Sequence, residues 1–481
     1  MRWNLTLLLL LAFCISFAQE KWDLKKCVEY AMEHNLSVSQ SELQAKITAL
    51  NNKQSKLSMI PSLNFGGSEA FNGGSTQDPS TFTRVTQNYL STSFQLQSSA
   101  DIFNFFSKRN NVKATEWELM AATANVSKIK YDIGLSTANA YLQVLLAFEQ
   151  EKITAVQIEQ TIGQLTTTRK MVTAGTLPEL NVAQLEAQLA ADSANHIAAK
   201  GNYQQALLNL KALLSMDAAT PLDIETPPVE KIPVESIADL QPEFVYAEAL
   251  KNQPQQIGNS FRLKAAQAQT AAAKAALLPT FGAFGSLGTN YIWFQGKPYY
   301  NKAIVGYQST GLVADAGGGV LYDVQSPVLT NTNIAGYIKA APFFSQLSDN
   351  FRKTIGVSMN VPIFNGGNLK IAHERSKINV SLAQLQQQQD DLKLKQDIYQ
   401  AYQAATIALE KNNASLKSVE AGEKTYFYAS KRFEIGALST FDLATAQNNL
   451  LRAKLEYSIS RFDYVFKMKV LEFYKGLGLK L

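Results

Sequence analysis

Two hydrophobic rhythms run along this chain, and each occurs twice. Ile398, Tyr402, Ala405, Leu409, Asn412, Leu416, Val419, Glu423, Tyr426, Ser430 and Phe433 advance in steps of four and three, and eight of the eleven are apolar. The positions 261 residues earlier are Thr137, Tyr141, Val144, Phe148, Glu151, Ala155, Ile158, Ile162, Leu165, Arg169 and Val172, again with eight apolar. A sustained 3.5-residue repeat supercoils helices left-handedly and packs knobs into holes. An ordinary amphipathic helix would not need one register in both halves, so the pattern predicts coiled coil. Helical patterning runs from about Lys108 to Val172 and from about Leu369 to Ile435. At 1.5 Å per residue each helix would be roughly 95–100 Å long, far more than a compact domain requires.

The second rhythm has period two. In "NFRKTIGVSMNVPIF", Phe351, Lys353, Ile355, Val357, Met359, Val361 and Ile363 fall on one side. Arg352, Thr354, Gly356, Ser358 and Asn360 fall on the other, which predicts a strand with one apolar and one wet face. "NYLSTSFQLQSSADIF" alternates more weakly, with Leu90, Phe94 and Leu96 on one face, and "PSLNFGGSEAF" and "PTFGAFGSLGTNY" read as glycine-rich partners. Each is about 10–13 residues, enough for a tilted transmembrane strand. Four strands cannot close a membrane barrel alone, and open edges are not tolerated in lipid. Membrane strands therefore require oligomerisation; a small soluble sheet capped by helices is the other reading the strands allow.

The halves are repeats of one another. "KMVTAGTLPELNVAQLEAQLA" (170–190) and "RFEIGALSTFDLATAQNNL" (432–450) align at the 261 offset, pairing Gly175 with Gly436 and Leu177 with Leu438. The same offset sets "NAYLQ" against "QAYQA" and "DIFN" against "PIFN". Further towards the N-terminus the offset becomes 218, aligning "EYAMEHNLSV" with "AEALKNQPQQ" and "IPSLNF" with "LPTFGA". The change places a 43-residue insertion between Pro279 and Pro362. Gly175 and Gly436 stand where a helix C-cap turns left-handed. Ser439 with Asp442, and Thr176 with Glu179, have capping-box spacing, and Pro178 suits a first turn. Both phrases thus predict tips of helical hairpins.

These signals divide the chain as follows. Residues 1–18 are a signal peptide; 19–214 form the first repeat, with a helix, a β-hairpin at about 61–104 and a helical hairpin tipped near 173–181. A proline- and acid-rich linker covers 215–242. The second repeat covers 243–475, with a β-hairpin at about 279–364, a long insertion at about 288–350 that suits an extracellular hairpin loop or loop strands, and a hairpin tip near 434–442; 476–481 is a tail.

Composition narrows the compartment. "MRWNLTLLLLLAFCISFAQ" has Arg2, an apolar run from Leu5 to Phe17 and small residues before Gln19, the layout of a secretory signal cleaved after Ala18. Beyond it no stretch of eighteen apolar residues occurs, so a membrane-spanning helix is not expected. Cys27 is then the one remaining cysteine, which leaves no intrachain disulfide. A net charge of +5 with no basic cluster interleaved with aromatics gives no nucleic-acid signature. His34, His196 and His373 stand in unrelated contexts, and no nucleophile elbow, zinc or nucleotide motif is present. No enzyme, metal or cofactor is expected.

The layout resembles the TolC-type outer-membrane efflux proteins across essentially the whole mature chain. The resemblance is carried by the two-fold repeat, "WDLKKCVEYAMEHN", the strand starts "IPSLNF" and "LPTFGA", "VPIFNGG" and, above all, the tip phrases "AGTLPELNVAQLEAQLA" and "RFEIGALSTFDLATAQ". It implies a mainly α chain with a β-barrel portion, in which three protomers share one 12-stranded barrel in outer-membrane lipid and their coiled-coil helices form a periplasmic tunnel. It implies the exit duct of a tripartite efflux pump or type I secretion system. The partners would be two sister copies, a periplasmic adaptor and a proton-driven or ABC-type inner-membrane transporter. An envelope coiled-coil structural or adhesion protein without a channel is the rival reading, though it does not explain strands placed alike in both halves.

By the same resemblance, Asp442 matches the first of two aspartates that close the tunnel near the second tip. Where better-known members carry the second, this chain has Thr445, and the first-half equivalents are Asn181 and Gln184. A trimer would offer one ring of three carboxylates flanked by amides and hydroxyls, in which like charges raise one another's pKa and attract cations. Asp442 also suits a helix N-terminus, where negative charge is favourable. Gly175, Thr176, Leu177, Gly436, Ala437 and Leu438 match the tips that adaptors contact, and Lys170 and Arg432 are candidates for links holding a closed state.

Overall fold

The structure, a computed structural model, describes residues 21–77, 84–225, 235–315 and 317–476. The expected signal peptide lies outside the described residues, as do part of the linker and all but the first residue of the tail. Nine α-helices and six strands are described: α1 Leu24–His34, α2 Leu36–Leu57, β1 Ser62–Gln77, β2 Arg84–Phe103, α3 Ser107–Thr173, α4 Glu179–Leu213, α5 Pro242–Asn252, α6 Pro254–Ala275, β3 Thr280–Phe294, β4 Lys297–Asp315, β5 Leu321–Ile338, α7 Phe343–Asp349, β6 Arg352–Asn360, α8 Asn368–Glu434 and α9 Thr440–Tyr474. The repeat is visible in these bounds. Adding 218 to the ends of α1 and α2 gives those of α5 and α6, and adding 261 to the ends of α3 and α4 gives those of α8 and α9. Among the described residues no helix is long and apolar enough to cross a membrane.

The chain divides into two units. The helical one comprises the chain up to Gln54, Asn110–Ala271 and Ala372–Leu481. Its core has one cluster per repeat. Cys27, Ala31, Tyr141, Val144, Leu210 and Leu214 anchor the first; Leu240, Val245, Ile398, Ala405, Met468 and Leu471 anchor the second. Burial pushes the Cys27 thiol up to about 12, with Asp23 adding to the effect, so this cysteine is an inert core residue. The Tyr141 hydroxyl donates to Glu225 O at 2.5 Å, and Trp22 and Ile224 form an isolated bridge beside it.

In α8, Ile398 and Ala405 of the 3.5-residue rhythm are buried, but farther along Ala408 and Ser415 are buried in place of Leu409 and Leu416. α3 behaves alike. Thr137, Tyr141, Val144 and Leu165 are buried, but farther along Thr161 and Thr168 turn inward and their neighbours Ile162 and Arg169 stay exposed. At Thr161 the hydroxyl is drawn inward by the buried Asp192 carboxylate, to which it donates at 2.7 Å.

The second unit comprises Ser55–Arg109 and Ala272–Ile371. Its main sheet is antiparallel in the order β1-β2-β3-β6. The pairings Phe65↔Leu96, Leu96↔Leu287 and Leu287↔Lys353 fix the register across all four strands. Within the insertion β3 continues to Phe294, β4 and β5 pair as a separate two-stranded sheet with four irregularities, and α7 follows.

Candidate functional site

The sheet register sorts side chains onto two faces. Because alternate residues point oppositely, Leu63, Phe65, Leu96, Leu287, Ile355 and Val357 share one face. Ser68, Ser93, Asn290 and, lower down, Asn64, Gln97, Ser286 and Thr354 share the other. The apolar face is bare in the single chain: Ile355 is 92% exposed and Val357 80%. The polar face is knitted by side-chain bonds such as Ser68 Oγ to Ser93 Oγ at 2.8 Å. β1 and β6 are the outer strands, each with one unpaired edge.

The two hairpin tips of the helical unit are built alike. Gly175 has φ 71° and donates its N–H to Val172 O at 2.9 Å, while the Thr176 N–H reaches Met171 O at 2.9 Å. Gly436 has φ 70° and donates to Phe433 O at 2.9 Å, while the Ala437 N–H reaches Arg432 O at 2.8 Å. This is the Schellman pattern, which satisfies the last helical carbonyls and demands a residue tolerant of positive φ. Leu177 and Leu438 are half-buried after the turn, whereas Gly175, Thr176, Gly436 and Ala437 are exposed. Arg432 Nη2 donates to Ala437 O at 3.4 Å, closing onto its own tip.

The caps differ from each other. Ser439 Oγ accepts the Asp442 N–H at 3.1 Å and donates to Asp442 Oδ2 at 2.7 Å, so α9 is capped as its spacing predicts. The box expected of Thr176 and Glu179 does not form. Pro178 is the N-cap of α4 with no side-chain bond, and Thr176 Oγ1 turns back to donate to Met171 O at 2.8 Å. The proline places the helix start after Thr176, leaving its hydroxyl nearer the preceding helix.

The four acidic and polar candidates occupy matching first turns. Asp442 is the third residue of α9 and exposed; Asn181 is the third of α4 and half-buried. Thr445 and Gln184 lie one turn on and are exposed, with Thr445 Oγ1 donating to Phe441 O at 2.8 Å. Hydrogen bonds do not join these four to one another among the described residues. Each repeat brings its own pair together along one helix.

A polar layer above the tips escapes the sequence reading. Asp192 of α4 is 2% exposed, and its carboxylate accepts from Gln157 Nε2 at 2.9 Å, Gln188 Nε2 at 2.8 Å and Thr161 Oγ1 at 2.7 Å. Gln157 Nε2 also donates to Asn448 Oδ1 at 2.8 Å, and the buried Gln447 bonds both Gln160 and Gln164. α3 and α4 of one repeat are thereby tied to α9 of the other. A signal was present: Leu185, Asp192 and Ala199 are seven apart and all buried, so a carboxylate holds a seam position.

Known proteins sharpen this picture. The sequence profile described as outer membrane efflux protein matches residues 28–215 and 341–464. The chain is 22% identical over 376 residues to the outer membrane efflux protein BepC of Brucella suis, spanning 77% of this chain and 69% of that one. Its fold is similar to the Campylobacter jejuni CmeC outer membrane channel, with TM-score 0.73 at 17% identity, covering 95% of this chain and 87% of that one. The outer membrane protein VceC of Vibrio cholerae is alike, with TM-score 0.70 at 17% identity and coverage of 95% and 97%. These are folds of passive outer-membrane channels, not enzymes. With the profile covering more than half its length, this chain belongs to the outer membrane efflux protein family.

Proposed function

We propose that the chain is one third of a passive outer-membrane duct, the exit of a tripartite efflux pump or type I secretion system, gated at its helical tips. One observation carries the reading: a four-stranded sheet with one bare apolar face and two unpaired edges. Unpaired backbone in hydrocarbon costs several kcal/mol per group, so such a sheet enters lipid only within a closed barrel. Three copies supply twelve strands, within the range of known barrels. The long hairpins then extend into the periplasm, towards an adaptor and a proton-driven or ABC-type inner-membrane transporter. An envelope scaffold has no use for a lipid-compatible face.

In this reading Asp442 supplies a ring of three carboxylates at the narrow end, held by Ser439. Gly175, Thr176, Leu177, Gly436, Ala437 and Leu438 form the surface offered to the adaptor. Conductance in planar bilayers tests the gate. The native protein should show a small, cation-preferring conductance, and Asp442→Ala should lose that preference. A monodisperse monomer soluble without detergent would end the duct reading, and so would a deletion strain with unchanged tolerance to toxic compounds and unchanged protein export.

A further inference from the structure

A cavity of about 410 Å³ opens within the helical unit, where α9 ends and α6 begins. The buried Gln253, just before α6, donates from Nε2 to Phe473 O at 3.3 Å and Tyr474 O at 3.1 Å, tying the two helix ends together. Tyr131 of α3 meets Phe473 with ring centroids 5.4 Å apart, so Tyr131, Phe473 and Tyr474 give the lining an aromatic surface. Carboxylates line it as well. Asp390 is fixed by Gln255 and Asn259, whose amides donate at 2.8 and 2.7 Å. Asp132 pairs with Lys128 at 2.8 Å. Asp397 has neither a hydrogen bond nor an ion pair among the described residues. Burial, and then Asp397 and Asp132, push the Tyr474 hydroxyl above its ordinary value, which sets both carboxylates near that ring.

The internal repeat shows that the fold does not need this chemistry. In the first repeat Asn35 Nδ2 donates to Leu213 O at 2.7 Å, and the offsets of 218 and 261 map Gln253 and Tyr474 onto that pair. The helix ends are therefore tied alike in both halves. Yet the residues matching Asp390, Asp397, Phe473 and Tyr474 are Ile129, Ser136, Ala212 and Leu213. One backbone arrangement takes small or aliphatic side chains in one repeat, and acids and rings in the other.

We propose that this cavity binds an organic cation of drug size that carries aromatic or other apolar groups. The faces of aromatic rings attract a cation, and more strongly once it is partly desolvated. Asp132, Asp390 and Asp397 set three negative charges in the lining against two positive ones, on Lys128 and Lys393. Lys128 is already taken by Asp132, so Asp397 is the charge that a ligand would answer. The volume falls within the range of small-molecule sites. Lys393 is the opposing element: exposed, and one turn from both Asp390 and Asp397 along α8, its ammonium competes with a bound cation. The site is built within one chain and does not depend on the duct reading.

Equilibrium dialysis of the purified full chain in detergent against tetraphenylphosphonium, with detergent alone as the blank, tests the site. One saturable site per chain is expected. Tetraphenylborate, alike in size and shape but an anion, should not occupy it. Asp397→Ser and Tyr474→Leu install residues that the first repeat already accepts at these places, and each should weaken binding about tenfold. Lys393→Gln, an exposed change, should tighten it about threefold. Uptake no greater than the blank, equal uptake of the anion, or an affinity that none of the three variants alters overturns the site. Light scattering and conductance report on the duct separately, so either reading can fail while the other stands.

Discussion

Gln346 pairs with Ile292 as a neighbouring strand would. Its Nε2 donates to Ile292 O at 2.9 Å, and its Oε1 accepts the Ile292 N–H at 3.0 Å. β6 stops pairing with β3 at Gly288, and α7 takes over: Thr289 Oγ1 donates to Leu347 O and Asn350 Nδ2 to Asn290 O, each at 2.7 Å. A short helix thus covers a strand edge that would otherwise be free to pair. Gln346→Ala should speed hydrogen exchange at the Ile292 amide by about fivefold, since a net hydrogen bond is worth about 1 kcal/mol. Gln346→Glu keeps the acceptor and should retain most of the protection. Unchanged exchange in the alanine variant would show that the pairing contributes nothing.

Phe284 lies across Gly356 on the polar face of the sheet. A Cβ at Gly356 would stand 2.6 Å from Phe284 Cζ, closer than real Cβ contacts come. Gly356→Ala should lower stability by about 1–3 kcal/mol, the usual range for overpacking. Adding Phe284→Ala should recover part of that loss, a coupling that a double-mutant cycle of thermal midpoints reads directly.

Asp192→Ala should be the most damaging single change in the helical hairpins. It removes the acceptor of the buried Thr161 hydroxyl and of the half-buried Gln157 and Gln188 amides, and losses of roughly 3 kcal/mol are expected. Differential scanning fluorimetry of the purified protein measures it. A midpoint within 1 °C of native, about the scatter expected of a neutral surface change, would mean the layer is not structural.

Asp390 and Asp391 of α8 carry opposite shifts. Burial acts to raise Asp390, but bonds from Asn259, Gln255 and Gln386, with Arg262 nearby, outweigh it and hold the carboxyl below its usual range. Asp391 is raised, first by burial and then by Asp390, against a bond from Gln256, and its Oδ1 is buried without a partner. The signs differ accordingly. Charged Asp390 stabilises the fold above its unfolded pKa, and that contribution is lost as pH falls through its depressed folded value. Charged Asp391 costs stability above its unfolded pKa, and the cost disappears in acid. Asp391→Asn should therefore raise the thermal midpoint at pH 7 by about 2 °C or less and have no effect near pH 3. Asp390→Asn should lower the midpoint at pH 7.

The sequence by itself determined what depends on neighbours along the chain. Seam periodicity, strand alternation and the left-handed turns at Gly175 and Gly436 are set within a few residues by backbone sterics and side-chain spacing, and the 261 offset made them legible twice. Tertiary structure decided the rest. The buried Asp192 carboxylate drew Thr161 rather than Ile162 inward. Pro178 redirected Thr176 away from its expected cap. Asp192 finds donors on α3 and its own helix, with a link onward to α9, a convergence no single stretch encodes. The 261 offset sets Asp397 against Ser136 and Tyr474 against Leu213, but only packing shows that Asp397 and Tyr474 line one cavity, because a spacing rule cannot know which side chains converge.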